Sequence, residues 1–444
     1  MNYQSYLIKP LLDKDYPIIS HGNGVYLYDT TGKKYLDGSS GAVTASIGHH
    51  VQAVIDAMSE QAGKVSFVYR SQFSSVPAEN LAKKLMSIAP GEVNWSFFVN
   101  SGTESVETAM KVAIQYWQEK GKQDKNKIIS RWKSYHGITL GALSLSGHAD
   151  RRVRFENLLE KSPIVEPPYC YRCPFKLEYP NCQLKCAWDL ERAIMEFGPE
   201  NIAAFVAEPI VGAAAAAITP PEGYYQKIKE ICTKHDILFI ADEVMTGIGR
   251  TGKMFAMEHW GVIPDIICIG KGMSAGYTPI AATLVSNTII ETILMGSKVI
   301  MSGHTYSANP QSAAVALAVL EYIEKENLVE NARIVGEYLK EKLEQLQQSY
   351  SIIGEVRGKG LLLGIEIVTD HMTKYPFSNE KAITLRLIDK AQKNGLLLYP
   401  ASAGIEGVGG DAIIVSPPLT VTNEEIDELI LIFEKTLSEL TAEL

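Results

Sequence analysis

The chain has 444 residues, too many for one compact core of usual size, so two or three domains are expected. Apolar residues make up 46% and charged residues 21%, which excludes the disordered classes. The formal net charge of −9 argues against nucleic acid or an anionic membrane as the main partner.

The opening MNYQSYLIKPLLDKDYP lacks the continuous apolar core of a signal peptide. No run approaches about 18 uninterrupted apolar residues. A cytoplasmic protein is therefore expected. VYLYD and KKYLDG, punctuated by Gly22–Gly24 and Thr31–Gly32, predict a hairpin. Helical spacing follows over His50–Gln61 and Pro77–Ser87. Val93–Val99 reads as a strand, Asn100–Thr103 as a polar turn, and Glu104 onward as a helix. A strand, a Ser/Gly/Thr turn and a helix N-terminus together favour a phosphate. Simple N-capping by Ser101 or Thr103 fits the same residues, and both readings stand at this point.

Lys127–Ser130 opens another strand–turn unit that ends at Tyr135–His136–Gly137, where the aromatic fits either a flat ligand or the core. Cys170, Cys173, Cys182 and Cys186 form C-x2-C-x8-C-x3-C. The pattern fits a metal knuckle or an insertion with free thiols. The loop between the pairs is short for zinc and no histidine joins in, so no metal is assigned. Cys232 and Cys268 read as core residues. Trp188–Phe197 predicts a helix, Ala203–Ala207 a strand ending at Glu208-Pro209, and Glu222–His235 a helix.

Ile237–Ala241 and Ile266–Ile269 are short continuous apolar runs, the mark of buried parallel strands. The first stops at Asp242 and the second at Lys271, just after Gly270. In open α/β sheets ligands sit outside the carboxyl ends of the strands, so a carboxylate and an amine are delivered to one place. Asn309–Glu324 and Val329–Gln348 are long helical patterns. LLLGIEIV, Glu380–Asn394, LLLYP, AIIVSPPL and Asn423–Leu440 then read as strand, helix, two strands and helix. Strand–helix alternation from 93 to 285 predicts a large α/β domain with a mostly parallel sheet. The expected division is an N-terminal segment, 1–60, that joins the small domain; a large domain, 61–325; and a C-terminal α+β domain, 326–444.

Three motifs overlap the charged strand ends. Gly247, Gly249 and Gly252 match a dinucleotide fingerprint, but mid-domain and without its acidic partner. Gly247–Lys253 matches a phosphate loop, but Met254 stands where a hydroxyl is required. Gly272–Gly276 matches a hydrolase elbow with Ser274, and His304 or His371 as its histidine. There Lys271 intervenes between strand and serine. Pyridoxal 5′-phosphate (PLP) uses everything. Its aldehyde takes Lys271, its ring nitrogen Asp242, its phosphate Ser101–Thr103, and its ring face Tyr135.

With FVNSGTESVETAMKVA, YHG, the AEP at 207–209, FIADEVMTGIGRTGKMFAMEHWGVIPDIICIGKG and GHTYSANP, the chain resembles the class III, or ω-amino acid, aminotransferases of PLP fold type I. The resemblance covers about residues 20 to 435. It implies Lys271 as the Schiff-base lysine and Asp242 as the partner of the ring nitrogen. It puts Val244 and Tyr135 on the ring faces and Ser101, Gly102 and Thr103 on the phosphate. His136, Gly137 and Glu208 fall in the family's cofactor pocket. Thr305 would complete the phosphate site of a second subunit, which implies a homodimer with shared sites.

The departures concern substrate. Enzymes of this family that handle glutamate through a gated salt bridge carry an arginine at the position of Ile414 and a glutamate at that of Ala213. Both charges are missing here, and Met245 replaces a frequent glutamine. The pattern resembles the ω-amine and β-amino acid:pyruvate branch. Between Gly395 and Ile414 there is no Arg or Lys, which leaves Arg70 as a candidate for the substrate carboxylate and Arg357 as a support of the fold. Val43, where several ω-amine enzymes have Trp, implies a roomier pocket. The expected activity is transfer of an amino group from an ω-amino or β-amino acid, or a primary amine, to a keto acid such as pyruvate. The alternatives are a PLP aminomutase or decarboxylase and, more distantly, a serine hydrolase using Ser274.

Overall fold

Alternating apolar runs and glycine turns near the N-terminus build an antiparallel meander, β1 (Ile19–Asn23), β2 (Tyr26–Asp29) and β3 (Lys34–Asp37). The computed structural model describes residues 6–405 and 408–444. Leu396–Leu397, far along the chain, pairs in parallel with β3 and ties the N-terminal segment to the C-terminal part.

The central sheet holds β4 (Trp95–Val99), β5 (Lys127–Arg131), β6 (Ile164–Val165), β7 (Ile202–Ala207), β8 (Leu238–Asp242), β9 (Ile266–Ile269) and β10 (Ala281–Val285). Their order is β4-β10-β9-β8-β7-β5-β6. All neighbours are parallel except β10, which runs antiparallel to both β4 and β9. β9 reaches β10 through residues 270–280, whose helical part is only the 3-10 turn Lys271–Met273; without a crossover α-helix the chain returns antiparallel. β7 to β10 are buried along their whole length, because helices cover both faces. The helix Gly102–Glu119 lays Val106, Ala109, Val112 and Ala113 on that sheet.

A third sheet follows, with β11 (Ile353–Lys359), β12 (Leu362–Ile367), the short β13 (Leu396–Leu397) outside it, β14 (Tyr399–Ile405) and β15 (Val408–Val415). Its order is β11-β12-β15-β14, all antiparallel. It docks on the loop after β7. Arg357 donates to the Ala216 carbonyl at 2.8 Å and the Ala215 carbonyl at 2.9 Å. Gly364 lies so close that a Cβ there would stand 1.9 Å from the Ala216 carbonyl oxygen. The α/β class with a mostly parallel sheet is thus as expected. The strands β1, β6, β10 and β11 and the helix Asn287–Met295 are additions to the sequence reading.

Candidate active site

β8 and β9 are parallel neighbours, so their carboxyl ends bring Asp242 and Lys271 to the same edge of the sheet. Asp242 is buried. Its Oδ1 accepts the Val244 N–H at 3.1 Å, and its Oδ2 lies 2.8 Å from Nδ1 of His136, also buried. Among the described residues no Lys or Arg pairs with this carboxylate.

Lys271 has a backbone φ of 38°, a region L residues avoid. Such conformations persist where the surroundings over-determine them, often at functional sites. Here the Met273 N–H holds the Gly270 carbonyl at 2.8 Å and the Ala275 N–H holds that of Lys271 at 3.0 Å. The Lys271 amine makes no hydrogen bond or ion pair among the described residues. Burial pulls it down from 10.5 to about 8, against the upward pull of Asp242 and Glu208 and with a further push from Arg151.

Glu208 is buried at the end of β7. Its Oε1 accepts the Tyr135 N–H at 2.9 Å and its Oε2 the Gly212 N–H at 2.8 Å. Burial raises its carboxyl above the ordinary carboxylate range. Its visible work is to fix the Tyr135–His136–Gly137 turn, which in turn sets His136 against Asp242.

At the start of helix Gly102–Glu119, Ser101 Oγ accepts the Glu104 N–H at 3.2 Å. Glu104 Oε2 accepts the Asn100 N–H at 2.6 Å. Ser101 is therefore the N-cap, and the Gly102 and Thr103 N–H groups still lack helical partners. The capping reading and the anion reading are compatible. A Cβ on Gly102 would stand 2.5 Å from Val244 Cγ1. One on Gly137, where φ is 140°, would stand 2.6 Å from Thr103 Oγ1. These close approaches gather Ser101, Gly102, Thr103, Gly137 and Val244 beside Asp242.

Two expected residues stand apart from this group. Thr305 is exposed in the loop before helix Pro310–Lys325 and bonds to none of the others among the described residues. Its neighbour His304 places Nδ1 3.6 Å from Glu104 Oε1, so the loop runs past the helix start. Arg70 is spent on that same loop: it donates to the Ser302 carbonyl at 2.7 Å and covers the Phe97 ring at 5.2 Å.

Ala213, Ile414, Met245 and Val43 fall in one buried apolar cluster. The two positions that would carry the gating charges thus share an environment that would tolerate neither charge alone. Ser274 is buried and donates to the Thr278 carbonyl at 2.6 Å, and among the described residues it has no histidine partner, as the hydrolase geometry would require. The Gly247–Lys253 loop packs instead on the C-terminal part, where a Cβ on Gly252 would stand 3.0 Å from Arg333. Cys170, Cys173, Cys182 and Cys186 are free thiols lining one small cavity of about 20 Å³. No three metal-ligating groups gather among the described residues. A cavity of about 1000 Å³ is bordered by Lys133, His148, Asp150, Arg172 and Ser402, and its lining includes neither Lys271 nor Asp242. Sequence reasoning passed over Arg151, whose guanidinium lies 4.7 Å from the centre of the Tyr135 ring, and Tyr399 of β14, on which the charges of Arg151 and Tyr135 act; the only signal was the ADRRVRF run after YHG.

A family model described as class-III aminotransferase matches residues 13–437. An uncharacterized aminotransferase of Bacillus subtilis, YodT, is 57% identical over 434 residues, covering 98% of each chain. An adenosylmethionine-8-amino-7-oxononanoate aminotransferase of Geobacter sulfurreducens is 37% identical, covering 96% of this chain and 92% of its own. The crystal structure of a thermostable (S)-enantioselective omega-transaminase from Thermomicrobium roseum superposes with a TM-score of 0.91 at 36% identity, over 98% of this chain and 96% of that one.

Proposed function

The chain belongs to the class-III aminotransferases, and from that membership we propose that it moves an amino group from an ω-amino or β-amino acid, or a primary amine, to a keto acid such as pyruvate. PLP is the cofactor of the family. When bound, it supplies an electron sink for the carbanion formed at the substrate's amine-bearing carbon. The residues present suit it: an amine and a buried carboxylate that, among the described residues, pair with no Asp, Glu, Lys or Arg, and a helix start whose first N–H groups lack helical partners.

The reading rests above all on the pairing of Lys271 with Asp242 at adjacent strand ends. Lys271 Nζ is the group that takes the proton from the substrate carbon and gives one back, as base and then acid. An amine is a base only when neutral, and the fold lowers this one to about 8. Asp242 holds negative charge where the cofactor's ring nitrogen stays protonated, and His136 orients Asp242. Gly102 and Thr103 N–H groups and the helix dipole receive the phosphate. Thr305, exposed in one chain, completes the phosphate site in a second copy, and the enzyme works as a homodimer. The apolar surroundings of Ala213 and Ile414 support a donor other than glutamate.

Two results are expected. The cofactor-free protein takes up PLP at a rate that rises about tenfold per pH unit and levels off above about 8, read from visible absorbance, because only neutral Lys271 reacts. A plateau near the ordinary lysine value of 10.5 would place another amine in that role. Second, alanine formation from pyruvate is followed with 3-aminobutanoate, 4-aminobutanoate, butylamine, glutamate and S-adenosylmethionine as donors. The amino acids other than glutamate, or the amine, lead the panel; glutamate or adenosylmethionine leading by a wide margin would overturn the substrate assignment. Carbon dioxide release, or an isomerised donor without alanine, would replace transamination by decarboxylation or amine migration.

A further inference from the structure

We propose that the Arg151 guanidinium receives the carboxylate of the amino acid and of the keto acid that pass through the Lys271 site. The inference rests on the aminotransferase reading and names the group that gives it carboxylate recognition. Arg151 is exposed, and its guanidinium lies 4.7 Å above the centre of the Tyr135 ring. Glu208 holds the Tyr135 N–H, and the next residue, His136, meets Asp242. The positive charge of Arg151 is also felt at the Lys271 amine and at the Tyr399 hydroxyl of β14.

Its donors are unused. No hydrogen bond or ion pair ties the guanidinium to any carboxylate or carbonyl among the described residues. Four other arginines are committed. Arg131 donates to the Glu208 carbonyl at 2.6 Å. Arg250 donates to the carbonyls of Leu361 and Pro417, at 3.2 and 2.5 Å. Arg357 holds Ala215, Ala216 and Glu366. Arg70 holds the Ser302 carbonyl.

The neighbouring Arg152 explains why Arg151 is presented outward. Arg152 is buried and donates to the Ser144 and Ser146 carbonyls at 2.9 and 3.0 Å. It pins the short helix Ala149–Arg152 to the C-terminal end of the helix Leu140–Leu145. The adjacent side chain is left free over Tyr135. A guanidinium fork matches a carboxylate in two parallel hydrogen bonds, and stacking on an aromatic face pre-organises it for that. This supplies the cation that the segment from Gly395 to Ile414 lacks.

The test compares wild type, Arg151→Met and Arg151→Lys, each loaded with PLP, in the absence of keto acid. The donors are two matched pairs: 4-aminobutanoate with butylamine, and 3-aminobutanoate with butan-2-amine. In each pair a methyl group replaces the carboxylate. Half-saturating concentrations are read from pyridoxamine phosphate formation. Arg151→Met, which keeps the apolar packing on Tyr135, is expected to raise the amino-acid value about 10- to 100-fold relative to its matched amine. Arg151→Lys recovers part of the loss. Calorimetric titration with butanoate, which cannot react, is expected to weaken about tenfold in Arg151→Met. Equal effects on both members of each pair, or unchanged butanoate binding, would overturn the role of Arg151 while leaving transamination standing. A wild type inert toward all four donors would instead overturn the donor class, and the inference with it.

Discussion

Lys271→Ala is expected to remove amino transfer by at least about 10⁴-fold while leaving the fold intact. On the roles proposed for Lys271, the substitution deletes both the amine that accepts the cofactor and the base that moves the proton, and general acid–base catalysis alone is worth about 10² to 10⁴. The fold has little stake in this side chain. Its amine holds no partner among the described residues, and the strained turn around it is closed by backbone bonds of Met273 and Ala275. Circular dichroism and melting temperature should stay near those of wild type. Lys271→Arg should fail as well, because a guanidinium stays charged at any working pH. Single-turnover assays with an amine donor give the measurement. Residual activity within tenfold of wild type would mean that another residue moves the proton.

Asp242→Asn should lower single-turnover transfer by about 10² to 10³, equivalent to about 2.7–4 kcal/mol of lost electrostatic stabilisation. Asparagine keeps the shape and still accepts the Val244 N–H, and its amide NH2 can donate to His136 Nδ1 in the other ring tautomer, so the main loss is charge. The Glu208→Gln variant is a useful contrast. Both Glu208 oxygens accept backbone N–H groups, and an amide serves only one of them as acceptor. Its effect should appear in stability and in PLP affinity more than in the chemical step. Equal losses in the chemical step for both variants would contradict the assignment of the ring nitrogen to Asp242.

Much of this site is legible in the residues themselves, for a physical reason. β8 and β9 are buried on both faces, so they read as unbroken apolar runs, and a charge at the end of each has no stabilising role to hide behind. β11 is hidden because its charges cancel inside the fold. Arg357 and Glu366 pair at 2.8 Å in a buried setting, so a strand carrying Glu355 and Arg357 lacks the expected apolar period. β10 is short and contains Thr283, whose hydroxyl donates to the Ser105 carbonyl of the overlying helix Gly102–Glu119 at 2.8 Å. Neither partnership has a signature in local sequence. Arg151 sits in the segment Arg151-Arg152-Val153-Arg154, where nothing in the local sequence tells one arginine from another. Only the fold separates the buried anchor, Arg152, from the free guanidinium beside it.

The substrate side was legible as absences, and the structure gives them a common location. Ala213 and Ile414 lie far apart in sequence and share one apolar cluster with Met245 and Val43. A charge introduced at one position alone would be buried without a partner, which costs several kcal/mol.

The central claim is that Lys271 is the amine that holds PLP. Borohydride reduction of the PLP-loaded protein, followed by proteolysis and mass spectrometry, tests it most directly. The account predicts a single pyridoxyl adduct on the peptide that contains Lys271. An adduct on a different lysine, with the Lys271 peptide unmodified, would contradict it.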